Sequence, residues 1–219
     1  MSFRATGFKR KGLLFLAAGF AMAAAADAQV PNSPISFANE NAVTATLVNA
    51  PIVADTDGST ASEPAQWLKV EWHYSVNPQT IPFLDAVTFK VWIEGRDLYA
   101  ANAPGTEGVA VALTGSVDYV NLAKTRDAYG VVYVHPSTLA RYCTSEGVSD
   151  FDHKFNVHVE ADVGGKAVDN FDKFKDPSGI AWFFKLTPVT GLVYRQNQSP
   201  FVTVNVSRYP AAKIPASGQ

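Results

Sequence analysis

Leu68-Lys69-Val70-Glu71-Trp72-His73-Tyr74-Ser75-Val76 decides the fold. Leu68, Val70, Trp72, Tyr74 and Val76 fall on one parity, and Lys69, Glu71, His73 and Ser75 on the other. Successive side chains of a strand point to opposite faces, so this stretch reads as a half-buried β-strand. Pro78 and Pro82 interrupt the pattern and mark a loop. Val87, Phe89, Val91 and Ile93 then alternate with Thr88, Lys90, Trp92 and Glu94. The two segments read as sequential antiparallel neighbours.

The same period recurs along the chain. Ala42 to Val48 precedes the deciding stretch; Val109, Val111 and Leu113 follow it, ending near Gly115. Val131 and Tyr133 lie in a strand stopped by Pro136, and Phe155 to Val163 alternate again. Gly164-Gly165 supplies the positive φ angles of a tight hairpin turn before Lys166 to Phe171. Ile180 to Leu186, Gly191 to Arg195, and Val202, Val204 and Val206 complete eight or nine expected strands. Only Ser137 to Tyr142 offers a helical turn or two. Parallel strands need crossover connections of about a dozen residues, usually helical, and the sequence lacks such helices. The expected fold is all-β: an antiparallel β-sandwich, immunoglobulin- or fibronectin type III-like, with long loops or extra strands. The domain is placed at 42–209, after an extended arm at 29–41 and before a flexible tail at 210–219. Its length leaves room for a subdivision near 125–130.

Ahead of that body, Arg4, Lys9, Arg10 and Lys11 form a basic region followed by the uncharged run Leu13 to Ala26. Ala26-Asp27-Ala28 places small residues at the −3 and −1 positions of a leader-peptidase site, so residues 1–28 read as a signal peptide cut between Ala28 and Gln29. The run is shorter than the roughly 18–20 apolar residues of a membrane span. A lipoprotein would need a cysteine directly after this run, but the sole cysteine is Cys143. A type IV prepilin would keep a glutamate five residues beyond Gly12, and Ala17 stands there. The leader holds four basic residues and one acidic. The remaining 191 residues therefore carry 14 basic and 19 acidic groups, a net charge of −5. Such a balance has no affinity for nucleic acid, and no second apolar run reaches spanning length. The expected location is thus exported: periplasm, outer surface or medium. One cysteine excludes an internal disulfide, and Cys143 reads as a half-buried thiol or an interchain pairing point.

Motifs for catalysis are missing: there is no GxSxG, SxxK, P-loop, HExxH or CxxC. His153 and His158 are five apart, which a strand would send to opposite faces; His73 and His135 read as surface or capping residues. Asp150 with Asp152, and Asp169 with Asp172, are acidic pairs that suit backbone turns or a calcium ion, as does Asp55-Thr56-Asp57-Gly58. No cofactor is expected. The aromatics say more. Trp67 and Trp92 fall on the polar parity, and Trp182-Phe183-Phe184 are consecutive, so at least one must leave a given core. Trp67, Trp92 and Trp182 are therefore the candidate ligand-binding residues, able to stack on a sugar ring or a partner protein. Burial between sheets, or under a loop, is the competing explanation.

The leader, Trp67-Leu68-Lys69-Val70-Glu71-Trp72 and Leu84-Asp85-Ala86-Val87-Thr88-Phe89-Lys90-Val91-Trp92 together resemble a family. The chain is similar to secreted immunoglobulin-like proteins of verrucomicrobial gut bacteria encoded near type IV pilus-like assembly genes. The resemblance implies a β-sandwich and an accessory role near a pilus or secretion apparatus, and it brings no catalytic residues. The leading expectation is a non-enzymatic, exported interaction module, pilus-associated or adhesive, with a protein partner in the cell envelope. A carbohydrate-binding module with a glycan ligand is the second reading, and a small secreted hydrolase the third.

Overall fold

The computed structural model describes residues 33–39, 41–51, 65–78, 82–100, 108–142, 156–174 and 181–213. Period-two segments become ten strands among these residues: β1 (Ile35–Phe37), β2 (Val43–Asn49), β3 (Gln66–Val76), β4 (Phe83–Asp97), β5 (Val109–Ala123), β6 (Thr125–Val134), β7 (Val157–Val163), β8 (Lys166–Asp172), β9 (Thr187–Thr190) and β10 (Val193–Arg195). One helix, α1 (Pro136–Tyr142), lies where the sequence allowed one. The first sheet runs β1-β3-β6-β10, with β2 also on β3; the second runs β8-β7-β4-β5-β9. The fold is an all-β sandwich. Every pairing is antiparallel except β5 with β9, which is parallel.

The two faces that alternation predicted to be apolar meet between these sheets. Leu68, Val70, Trp72, Tyr74 and Val76 of β3 pack with Val87, Phe89, Val91 and Ile93 of β4 in one buried cluster. Phe89 sits at its centre, 5.2 Å from the Trp72 ring and 4.7 Å from that of Tyr74. Each such fully buried side chain contributes about 1.5–3 kcal/mol of hydrophobic stabilisation. Trp72 lies directly across from Gly130 on β6, and its indole occupies the space a side chain there would need. The sheets are also tied by a polar strut: β10 pairs with only Val132–Val134 of β6, and the neighbouring Val131 N–H donates to the Tyr119 hydroxyl of β5 at 3.0 Å.

Several expectations are corrected here. β3 and β4 are not hairpin neighbours: β3 pairs with β1, β2 and β6, while β4 pairs with β5 and β7 in the other sheet. Alternation reports which side of a strand meets the core, and two strands facing one core satisfy it equally from opposite sheets. β5 runs through Gly115 to Ala123, because Gly115 passes under Val193 of β10, where a Cβ would lie 2.7 Å from the valine. Within Ile180 to Leu186, Trp182–Lys185 is a 3₁₀ turn rather than a strand. Val202, Val204 and Val206 lie in successive turns, with Asn205 at φ 55° and Val202 and Val206 exposed. Part of the presumed arm is β1, with Ile35 fully buried, and Ala212 bridges to Tyr119 where a free tail was expected. Near 125–130 the chain crosses at Lys124 from β5 to β6, and residues on both sides share the one core. The Gly164-Gly165 hairpin is as predicted, with φ of 62° and 81°.

Candidate functional site

On the outer face of the second sheet, three adjacent strands carry a single row. Trp92 of β4 stands opposite His158 of β7, which stands opposite Asp172 of β8. Opposed residues share a face, so two tight registers bring these three together. The Trp182–Lys185 turn then folds back over the row. The Trp182 Nε1–H donates to Asp172 Oδ1 at 3.2 Å, and His158 Nδ1 meets the same oxygen at 2.8 Å. Phe183 stacks on the His158 ring at 4.0 Å and 24°, and its centroid lies 4.9 Å from that of Trp92. His158 is left 4% exposed, yet the next residue along the turn, Phe184, is 79% exposed.

The chemistry available follows from this geometry. Asp172 fixes the imidazole, as a carboxylate does in a hydrolytic triad. Among the described residues, however, no hydroxyl or thiol is hydrogen-bonded to His158, and the ring lies beneath Phe183. The arrangement anchors an aromatic cap and holds Phe184 out on a fixed base. Beside it, Lys90 of β4 bridges Glu160 at 2.9 Å and Asp162 at 3.1 Å. Hydrogen bonds to these two carboxylates, outweighing desolvation, raise its ammonium above the ordinary lysine range.

The candidate tryptophans separate. Trp92 and Trp182 meet in this cap, Trp92 half-buried and Trp182 only 8% exposed. Trp67 lies on the other sheet, 7% exposed, in edge contact with His135, Tyr194 and Phe201. Trp67 and Trp182 thus take the competing explanation of burial: a segment distant in sequence covers Trp67, Trp182 turns in to Asp172, and Phe184 is the member of its aromatic run that leaves the core. The segment over Trp67 is residues 196–209, where Phe201 stacks on Tyr133 at 4.4 Å. It is tied down at Glu71, which accepts from Lys69 at 2.9 Å, from the Tyr209 hydroxyl at 2.8 Å and from Arg208. Burial alone would raise the Glu71 carboxyl; the hydrogen bonds from Lys69 and Tyr209 and the nearby Lys69 and Arg208 charges outweigh it, holding the group below the usual carboxylate range. Burial also pushes the neighbouring Tyr133 hydroxyl up to about 12.

Asp169 and Asp172 do not form one cation site. Asp169 accepts from the Phe37 N–H of β1 at 2.9 Å, while Asp172 turns to the outer cap. Three residues apart on one strand, they face opposite ways. Asp150, Asp152, Cys143, and Ala28 with Gln29 lie outside the described residues, as do His153 and the Asp55–Gly58 stretch. His135 begins α1 as a capping residue, accepting from the Ser137 N–H at 3.1 Å, and His73 meets Asp127 at the surface. Sequence reasoning missed the partnership of His158 with Asp172 and the contrast between buried Phe183 and exposed Phe184.

A protein-family profile matches residues 35–215, most of the chain and the whole sandwich. The chain belongs to that family. The crystal structure of a protein from Akkermansia muciniphila superposes with a TM-score of 0.67 at 20% identity, over 83% of this chain and 94% of that one. At that identity the likeness establishes the fold. Akkermansia muciniphila is a verrucomicrobial gut bacterium, the group to which the sequence resemblance pointed. None of the curated proteins matches.

Proposed function

We propose that this protein is an exported, non-catalytic interaction module of the bacterial cell envelope. It holds a protein partner through the aromatic cap of its second sheet, with Phe184 as the contact residue. The carrying observation is the exposed Phe184 ring seated 4.4 Å from a buried Phe183 that is itself stacked on His158. An aromatic side chain presented on a rigid base loses little entropy on binding, and such residues dominate binding energy at protein interfaces. The resemblance to proteins encoded beside pilus-like genes supports an accessory or adhesive role, and the leader reading supports export.

The test is capture from envelope fractions by immobilised protein, comparing the parent chain with Phe184→Ser. Phe184 is 79% exposed, so its loss costs little stability, and the variant is expected to melt close to the parent and to lose its partner. Equal capture by both refutes the reading. Half-buried Trp92 beside the cap keeps a glycan ligand in view: glycan-array binding abolished by Trp92→Ala replaces the protein partner with a carbohydrate.

A further inference from the structure

We propose that β2 is the seam of a homodimer, in which Val43–Asn49 pairs antiparallel with the same strand of a second copy about a two-fold axis at Thr46.

The hydrogen bonds settle which way β2 points. The His73 N–H donates to the Ala42 carbonyl at 2.8 Å, and the Ala50 N–H donates to the Ala65 carbonyl at 3.0 Å. Bonded and non-bonded positions alternate in an antiparallel ladder, so Thr44, Thr46 and Val48 direct their backbone groups to β3. Val43, Ala45, Leu47 and Asn49 therefore turn theirs outward, and among the described residues no backbone group meets them.

The other edges are blunted. β8 carries Lys166, Asp169 and Asp172 and a bulge at Val168, and Ser33 donates to the Val168 carbonyl. β9 contains Pro188, while β10 has three residues and ends in Arg195. The far edge of β5 is met by the Ala211 carbonyl and the Lys213 N–H. β1, three residues long, has its outward Phe37 N–H taken by Asp169 and its Ile35 N–H and carbonyl met by the Ser33 hydroxyl. Among the described strands, β2 is the long edge left with neither charge nor proline, along Val-Thr-Ala-Thr-Leu-Val-Asn. Natural sheets protect exposed edges with such features, and their omission marks an edge intended for pairing.

A second copy fits this edge better than an unrelated strand. On a two-fold axis the central residue meets itself, so a charge there would repel; Thr46 pairs instead with Thr46. Ala45 then faces Leu47 and Val43 faces Asn49, all through outward-directed backbone groups, giving up to about eight interchain N–H···O bonds. The axis stands normal to the sheet, so the core-facing row Val43, Ala45, Leu47 continues into the partner. A seven-residue edge buries little area, so association is reversible and of the order of micromolar. The proposal does not depend on the Phe184 cap.

The experiment is sedimentation velocity on the exported protein across a dilution series. The wild type is expected to shift from dimer to monomer on dilution. Thr46→Lys places two ammonium groups together at the axis and is expected to weaken the dimer at least about tenfold, while an equal mixture of Thr46→Lys and Thr46→Glu restores it. In a Cys143→Ser background, Thr46→Cys should form a dimer on a non-reducing gel, since opposed non-bonded residues lie about 4.5 Å apart, within disulfide reach. Thr44→Cys, which faces Val48 of the partner, should not. Melting temperatures check that each variant is folded. A wild type that stays monomeric at about 500 µM, well above the expected range, overturns the proposal. So does a dimer indifferent to Thr46→Lys, or a Thr46→Cys chain that fails to crosslink.

Discussion

Replacing Gly130 by alanine puts the contact between β3 and β6 to a sharp test. A Cβ built at Gly130 lies 2.2 Å from Cε2 of Trp72 and 2.4 Å from both Cζ2 and Nε1. Carbon atoms settle at about 3.5–4.0 Å, so the indole must retreat by more than about 1 Å. It has nowhere to go: Trp72 is fully buried, with Phe89 5.2 Å away on the opposite sheet. Overpacking of this kind costs about 1–3 kcal/mol, against which the ordinary gain of alanine over glycine in a strand returns about 0.5–1 kcal/mol. The severity of the clash favours the upper end, a net loss of about 2 kcal/mol, or about 4–8 °C in melting temperature for a domain of this size. Trp72→Phe removes the clashing indole atoms, and Trp72 Nε1 makes no hydrogen bond among the described residues that would be lost with it. Urea unfolding of the four chains in a double-mutant cycle should therefore show Gly130→Ala costing much less in the Trp72→Phe background than beside the native tryptophan. An equal cost in both backgrounds, or a parent-like Gly130→Ala, would refute the packing argument.

Two further substitutions probe the polar ties. Glu71→Gln should destabilise by about 2 kcal/mol at neutral pH, since it breaks charge-assisted bonds in a largely buried group, and should redden the emission of Trp67 as residues 196–209 loosen. Because the folded carboxyl is held below its ordinary value, its stabilisation is present above about pH 4.3 and lost as the pH falls through the folded value. The gap between parent and variant should therefore close below that pH, and a gap that widens on acidification contradicts the assignment. Tyr119→Phe leaves the buried Val131 N–H without its acceptor and should cost about 1–3 kcal/mol. Hydrogen exchange at Val131 should then accelerate well beyond that of Val132, whereas an unchanged rate would mean that the strut carries nothing.

Much of this molecule is legible in its sequence, and the boundary falls at a definite physical place. The His158–Asp172 pair illustrates it. From the Gly164-Gly165 turn, a regular hairpin sets His158 opposite Phe171 and sends Asp172 to the other face. In the structure one extra residue, Val168, is inserted between Asp169 and Ala167. This bulge moves Asp172 opposite His158, because a shift of one residue exchanges the faces of a strand. Nothing in the local pattern signals it. The carboxylate on which the aromatic cap rests therefore could not be assigned from alternation.

Local sequence was enough to set the elements that depend on near neighbours: most of the strands, their core-facing sides, the glycine hairpin and the helix after Pro136. These follow from backbone geometry and from the transfer of alternate apolar side chains out of water, both properties of a few consecutive residues. Packing across the whole fold was needed to assign β3 and β4 to different sheets, to cover Trp67, and to leave Phe184 free beside Phe183, which is buried against His158 and Trp92. Each of those outcomes depends on segments far apart along the chain packing over one another, and the free energy of such contacts belongs to neither segment alone.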